Sequence, residues 1–193
     1  MSMPEPKVLK ATGRRHIPWK EGDGETLEVA VFPPESSPSD FEWRVSLTTV
    51  TSDGRFSSFP GVERTISVVE GSGLSLELDG KSPVVLTQRS EPFAFPADVP
   101  ATASLVKGPV VDLDVMSRRV HWRHRVEKWH LEGQRHFDAP GGVTMLFSLG
   151  NLRVDAGHHA VQLRRHDCVL IDDVVLLTTD MPVEGFLIRF TKV

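Results

Sequence analysis

Tyrosine is absent from this chain and cysteine occurs once, so no disulfide can form within it. At 193 residues none is needed, because a chain of this size buries roughly 70% of the surface its extended form would expose. Cys168 stands in the apolar run Cys168-Val169-Leu170-Ile171, which reads as a small buried thiol rather than a nucleophile or ligand, and this usage fits a reducing, cytoplasmic compartment. No stretch approaches the ~18 uninterrupted apolar residues of a membrane span, and Met1 to Lys7 hold no apolar signal segment, so neither membrane insertion nor secretion is expected. A surplus of positive charge is missing as well. With 22 Lys and Arg against 26 Asp and Glu, the chain offers no concentrated field for a nucleic-acid partner.

The usual catalytic motifs are also lacking: there is no G-x-S-x-G, no HExxH and no phosphate-binding GxxxxGK[ST] loop. Eight histidines are present, but in a strand His121 and His124 face opposite sides, and the adjacent His158 and His159 diverge. No metal and no cofactor is expected. Helical periodicity is absent too, since no window of twelve residues carries a 3.6-residue apolar stripe.

What is there is a rhythm of Pro and Gly every eight to twelve residues, separating short Val-, Leu-, Thr-, Phe- and Ile-rich segments. That pattern signals an all-β sandwich or barrel. Leu27, Val29 and Val31 alternate on one face, as do Phe41, Trp43, Val45 and Leu47. Further strands are expected over 64–69, 74–78, 84–88, 93–95, 102–106, 110–116, 120–131, 143–149, 160–164, 168–171, 174–178 and 184–192. That is too many for one small sandwich. Residues 65–78 and 144–154 share a sequence pattern of apolar strand, Gly turn and alternating strand, which suggests an internal duplication.

Several polar residues stand out against this frame. Trp19-Lys-Glu-Gly-Asp-Gly-Glu-Thr26 is a glycine-rich turn that either presents N–H groups to an anion or is simply a tight turn. Arg44, Ser46 and Thr48 share the face opposite the apolar one, which suits a small carboxylate if it points into a barrel and is an ordinary exposed face if it does not. Arg64 enters its strand after the aromatic loop Gly54-Arg-Phe-Ser-Ser-Phe-Pro-Gly61; rings walling it would strengthen a bidentate carboxylate contact, and the alternative is a surface pair with Glu63. Phe93 and Phe95 share a face, with Asp98 just beyond. Asp112 and Asp114 also share a face, as an acid/base pair, as metal ligands or, more commonly, as partners of cross-strand arginines. Ser117 to Asp138 is locally basic and reads as a solvated strand or an anionic contact surface.

In order along the chain, Trp19-Lys-x-Gly-x-Gly-x-Thr26, Phe41-x-Trp43-Arg44-x-Ser46, Phe56-Ser57-x-Phe59-x-Gly61-x-x-Arg64, Val69-Glu-Gly71-x-Gly73, Phe93-Ala-Phe95-Pro-x-Asp98 and Gly108-Pro-x-x-Asp112-x-x-Val115-Met116-x-Arg118-Arg119 resemble the HutD/Ves family of the cupin superfamily. The resemblance covers residues 17 to 119 and is weak beyond 120. It implies a bicupin of two β-barrel, jelly-roll-type halves packed together: residues 1–119 with the ligand pocket, and residues 120–193. It further implies a bacterial, non-catalytic regulator of histidine utilisation and catabolism that senses an acidic intermediate such as N-formylglutamate. Arg64 matches the family's pocket arginine, and Trp19, Arg44, Ser46, Ser57, Phe59, Phe95, Asp98, Asp112 and Met116 match positions around the same cavity. The chain departs from the family pattern at Glu21, Asp23, Ala97 and Asp114, where the last replaces a usual Asn; each change adds charge or bulk near the implied site.

Two other functions compete with the sensor. A metal-independent isomerase or hydrolase acting on a small carboxylate would use Asp98 or Asp112 as general base beside Arg64. An interaction module would use the basic strand at Ser117 to Asp138, for example as a homodimer contact.

Overall fold

The computed structural model describes residues 6–18, 24–139 and 141–193. Every regular element among them is a β-strand, and no helix is long and apolar enough to cross a membrane. In chain order the strands are β1 (Lys7–Leu9), β2 (Arg15–Pro18), β3 (Glu25–Phe32), β4 (Trp43–Val50), β5 (Gly54–Arg55) and β6 (Val62–Glu70). Next come β7 (Leu74–Leu78), β8 (Val84–Leu86), β9 (Phe93–Pro96), β10 (Ala101–Leu105), β11 (Val110–Arg118) and β12 (Trp122–Phe137). The last are β13 (Val143–Ser148), β14 (Leu152–Ala156), β15 (His159–Leu163), β16 (Cys168–Ile171) and β17 (Val175–Lys192).

Two compact units result. One spans Arg14–Arg123 with Val193; the other joins Met1–Gly13 to His124–Lys192. Sequence order assigns the first residues to the N-terminal half, yet β1 pairs with β16 (Val8 opposite Val169) and so belongs to the other unit.

The 14–123 unit is built from a six-stranded sheet, β2-β3-β4-β11-β6-β9, and a four-stranded sheet, β5-β10-β7-β8. Ile66, Val68 and Phe95 of the first pack with Leu74, Leu76, Leu86, Ala101 and Ala103 of the second, so these side chains mark the interior. The β6–β7 turn depends on glycine: Gly71 and Gly73 have φ of +90° and +112°, and a Cβ would lie 2.4 Å from the Pro109 carbonyl oxygen and 2.3 Å from that of Leu86.

The second unit is a seven-stranded sheet ordered β1-β16-β13-β17-β14-β15, with β12 also on β17. Its pairings repeat those of the first unit. β13 lies on β16 and β17 as β6 lies on β9 and β11, and β14 lies on β15 and β17 as β7 lies on β8 and β10. The two strands expected over 174–178 and 184–192 are here one strand. Its first part, Leu176 to Thr178, pairs with β14 and its last part, Gly185 to Phe190, with β13. Pro182, which has no N–H to give a ladder, sits at the change of neighbour.

This unit's core is apolar: Trp129, Leu131, Phe137, Leu146, Val154, Leu163, Val169, Ile171, Leu177 and Leu187 are among its buried members. Cys168 is a buried thiol on β16. Gly185 is bound into this packing, because a Cβ there would lie 2.2 Å from the Phe147 carbonyl oxygen and 2.3 Å from the Trp129 ring. Gly185→Ala is therefore expected to destabilise the protein by about 1–3 kcal/mol through overpacking. A thermal melt reads this directly, and an unchanged midpoint would mean that the Trp129 ring moves aside without cost.

Candidate ligand-binding site

Alternation along antiparallel strands places every second residue on one face. Since Ile66, Val68 and Phe95 face the interior of the 14–123 unit, so do the residues in register with them. Three rows cross the sheet: Arg44, Met116, Arg64 and Phe95; then Ser46, Asp114, Ile66 and Phe93; then Thr48, Asp112 and Val68. The face of β4 carrying Arg44, Ser46 and Thr48 thus points into the barrel, and all three are buried. Beside Asp112 the ladder slips: Val111 pairs with Glu70 and Asp112 with Val68, so Val69 is the extra residue of a β-bulge, a feature that re-aims neighbouring side chains.

Four charged side chains meet on this face. Arg64, 5% exposed, donates from Nε to Asp114 Oδ1 (3.1 Å) and from Nη2 to Asp114 Oδ2 (2.5 Å), a bidentate pair. Its guanidinium lies 4.4 Å from the centre of the Phe56 ring and 5.9 Å from that of Phe95, so aromatic walls do enclose it. The surface pair with Glu63 does not form; Glu63 lies 3.7 Å from Arg119 instead.

Arg44 is 6% exposed, and its Nε has no partner among the described residues. Burial lowers its pKa; Asp114 and Glu28 oppose that shift, while Arg15 and Arg64 add to it. Asp112 is fully buried, and neither carboxyl oxygen has a hydrogen-bond partner among the described residues. Desolvation, reinforced by Asp114 and partly offset by Arg64, pushes its pKa from the ordinary 3.8 up to about 8. At neutral pH it is mostly a neutral acid, a form in which it can donate as well as accept.

Met116 packs with Phe41, Val62, Ala97 and the half-buried Phe59, and the Phe41 and Phe59 rings lie 6.0 Å apart. Two residues expected at the cavity lie elsewhere. Ser57 is exposed, and Asp98 forms an exposed ion pair with Arg119 while accepting the Gly61 N–H at 3.2 Å. That pair, led by the Arg119 hydrogen bond, holds the Asp98 carboxyl below its ordinary range. Asp98 therefore fastens the loop before β6 to the end of β11. Trp19, with Glu21 and Asp23, lies outside the described residues.

Phe56 was not among the expected cavity residues, although the aromatic loop before Arg64 signalled it. Of the roles open to Asp114, the structure shows the partner of a cross-strand arginine. Among the described residues no three His, Cys, Asp or Glu side chains are grouped to hold a metal. The basic segment on β12 is largely exposed and partly paired internally, Arg125 to Glu127 at 2.9 Å and Lys128 to Glu184 at 3.5 Å.

Comparison with known proteins supports the same relationship from both sequence and fold. Protein Ves of Citrobacter koseri is 40% identical over 110 residues, 56% of either chain, so the match spans about half the length of that curated relative. A conserved protein of unknown function from Pseudomonas aeruginosa PAO1 superimposes with a TM-score of 0.89 at 28% identity, over 97% of this chain and 99% of its own. HutD from Pseudomonas fluorescens SBW25, solved in a formate condition, gives 0.82 at 27% identity over the same shares. At 11% identity and a TM-score of 0.70, YhhW from Escherichia coli shares the fold alone, and with such cupin-like neighbours the architecture is an all-β bicupin. Residues 11–187 match the HutD family, nearly the whole of both barrels, and the chain belongs to it.

Proposed function

We propose that this protein is a non-catalytic sensor that binds a small carboxylate inside the barrel of residues 14–123, and that, as in the role attached to its family's name, it governs histidine utilisation by reporting an acidic intermediate. One observation carries the reading. Arg44, buried beside the Arg64–Asp114 pair, has a guanidinium Nε–H with no partner among the described residues, and an arginine in that setting favours a carboxylate. A charge-assisted hydrogen bond is worth about 1.5–3 kcal/mol, so one arginine with apolar contacts supports micromolar to millimolar affinity. That range suits metabolite sensing.

A thermal-shift screen of the metal-free protein against histidine, urocanate, N-formylglutamate, glutamate and formate tests this, since a ligand of the native state raises its melting point by mass action. At least one acid is expected to shift the midpoint, and Arg44→Gln together with Arg64→Ala is expected to abolish the shift. A panel with no shift removes the proposal. Asp112 favours a second reading, because an acid held at about 8 is suited to proton transfer near neutral pH. Under that reading the bound acid is consumed; under the sensor reading it is recovered unchanged after prolonged incubation.

A further inference from the structure

The charges inside the 14–123 barrel do more than call for an acid; they restrict which acid can enter. Arg64 and Asp114 neutralise one another through two parallel hydrogen bonds. Among the described residues Arg44 remains as a cation whose Nε–H has no partner, and Asp112 as a fully buried carboxyl group whose two oxygens have none. An ionised carboxylate without donors is costly at such a depth, whereas the neutral acid needs only one acceptor. With Asp112 neutral, Arg44, Arg64 and Asp114 sum to a single positive charge. The described charged groups that bear on Arg44 from the outer strands are Arg15 on β2 and Glu28 on β3, one of each sign, and on β9 the inward residues are Phe93 and Phe95.

Resting on the carboxylate-binding reading, we infer that the site takes a monoanionic acid whose single carboxylate meets Arg44 and whose far end is a neutral hydrogen-bond acceptor for the Asp112 carboxyl. One negative charge balances the interior. A second would face Asp112 and Asp114 and would force Asp112 to remain protonated against it. The register allows such a two-ended ligand: Arg44 and Asp112 lie on adjacent strands, offset by four residues along β11. That offset is about 13 Å between backbones, a gap that the ligand and the two side chains must span together. Dianions, N-formylglutamate among them, are disfavoured.

Binding is then linked to one proton on Asp112. Affinity stays level while Asp112 is neutral and falls up to tenfold for each pH unit above its pKa of about 8.

Calorimetric titration of the full chain with matched probes tests the assignment: succinamate against succinate, and glutaramate against glutarate, at pH 6.5, 7.5 and 9. The expected results are at least tenfold tighter binding of the amide acids at pH 7.5, and weakening of that binding at pH 9. Asp112→Asn, whose amide can still donate to the ligand, is expected to retain binding and lose the pH dependence. Arg44→Lys keeps the charge and folding while losing the planar donor set, and should weaken both amide acids. Equal or tighter binding of the dianions, or a pH profile unchanged in Asp112→Asn, overturns this inference while leaving the carboxylate sensor standing. If none of these four probes and no acid of the thermal-shift panel binds, both fall together.

Discussion

Removing Asp114 alone is expected to be among the most damaging single changes in the 14–123 barrel. Asp114→Ala leaves the Arg64 guanidinium buried between Phe56 and Phe95 with its bidentate partner gone. Breaking a buried pair from one side costs about 3–5 kcal/mol, because the surviving charge keeps its desolvation penalty. For a chain of this length that is a fall in melting temperature of about 10 °C. Replacing both partners by apolar residues of similar volume, Arg64→Met with Asp114→Leu, is expected to restore stability to the parent's level or above it. Urea unfolding of the parent, the single and the double variant measures this. A single variant within 1 kcal/mol of the parent would mean that water reaches the pair, contrary to its burial.

The second large effect concerns pH. Asp112 has a folded-state pKa raised from the ordinary 3.8 to about 8, so the native protein holds a proton that the unfolded chain releases. Stability from this group is complete below about pH 4 and declines as pH rises toward 8, by about 1.4 kcal/mol per unit, with an upper limit of roughly 6 kcal/mol. His124 runs in the opposite sense. Desolvation lowers it from 6.5 to about 4, so folding is penalised progressively as pH falls below 6.5. The two slopes oppose one another between pH 4 and 6.5, leaving the Asp112 loss uncompensated from 6.5 to 8. Asp98 and Asp167, both held below their ordinary range, withdraw stability only in stronger acid. The parent is therefore expected to lose about 2 kcal/mol between pH 6.5 and 8.5, and Asp112→Asn to abolish most of that loss and exceed the parent at pH 8.5. Identical, flat profiles for the two proteins would show that Asp112 is ionised or hydrated in the folded state, and the single positive charge assigned to the barrel interior would go with it.

Much of this architecture was legible locally. Period-two alternation marked β3, β4 and β11, glycines at 71 and 73 marked the β6–β7 turn, and the patterns of residues 65–78 and 144–154 match strands that hold equivalent places in the two units. The same alternation placed Arg44 with Ser46 and Thr48, and Asp112 with Asp114, before any contact was known. It could not say whether those faces looked inward. A row of arginine and hydroxyls on a strand is more often solvated, and only the second sheet packing across Ile66, Val68 and Phe95 made it an interior.

Partner choice was less legible still. Arg64 had Glu63 beside it in sequence, but its carboxylate is Asp114, fifty residues away. Asp98, placed near the pocket by its motif, is held outside by Arg119. In both cases the choice depends on strand register and on which side chains are cut off from water, neither of which is a property of a short segment. The segments expected separately over 174–178 and 184–192 form one continuous strand because its ladder partner changes from β14 to β13 around Pro182, where no N–H is needed for pairing.

By itself, then, the sequence determined the all-β class, the repeated strand order and the faces on which charge would collect, because hydrophobic alternation and turn chemistry act within a few residues. Tertiary structure alone decided that Arg64 is spent on Asp114, that the Arg44 Nε–H has no partner among the described residues and that burial raises the Asp112 carboxyl well above its ordinary pKa. Those outcomes arise from desolvation and from charges brought together across strands distant in sequence, which exist only once the barrel has closed around them.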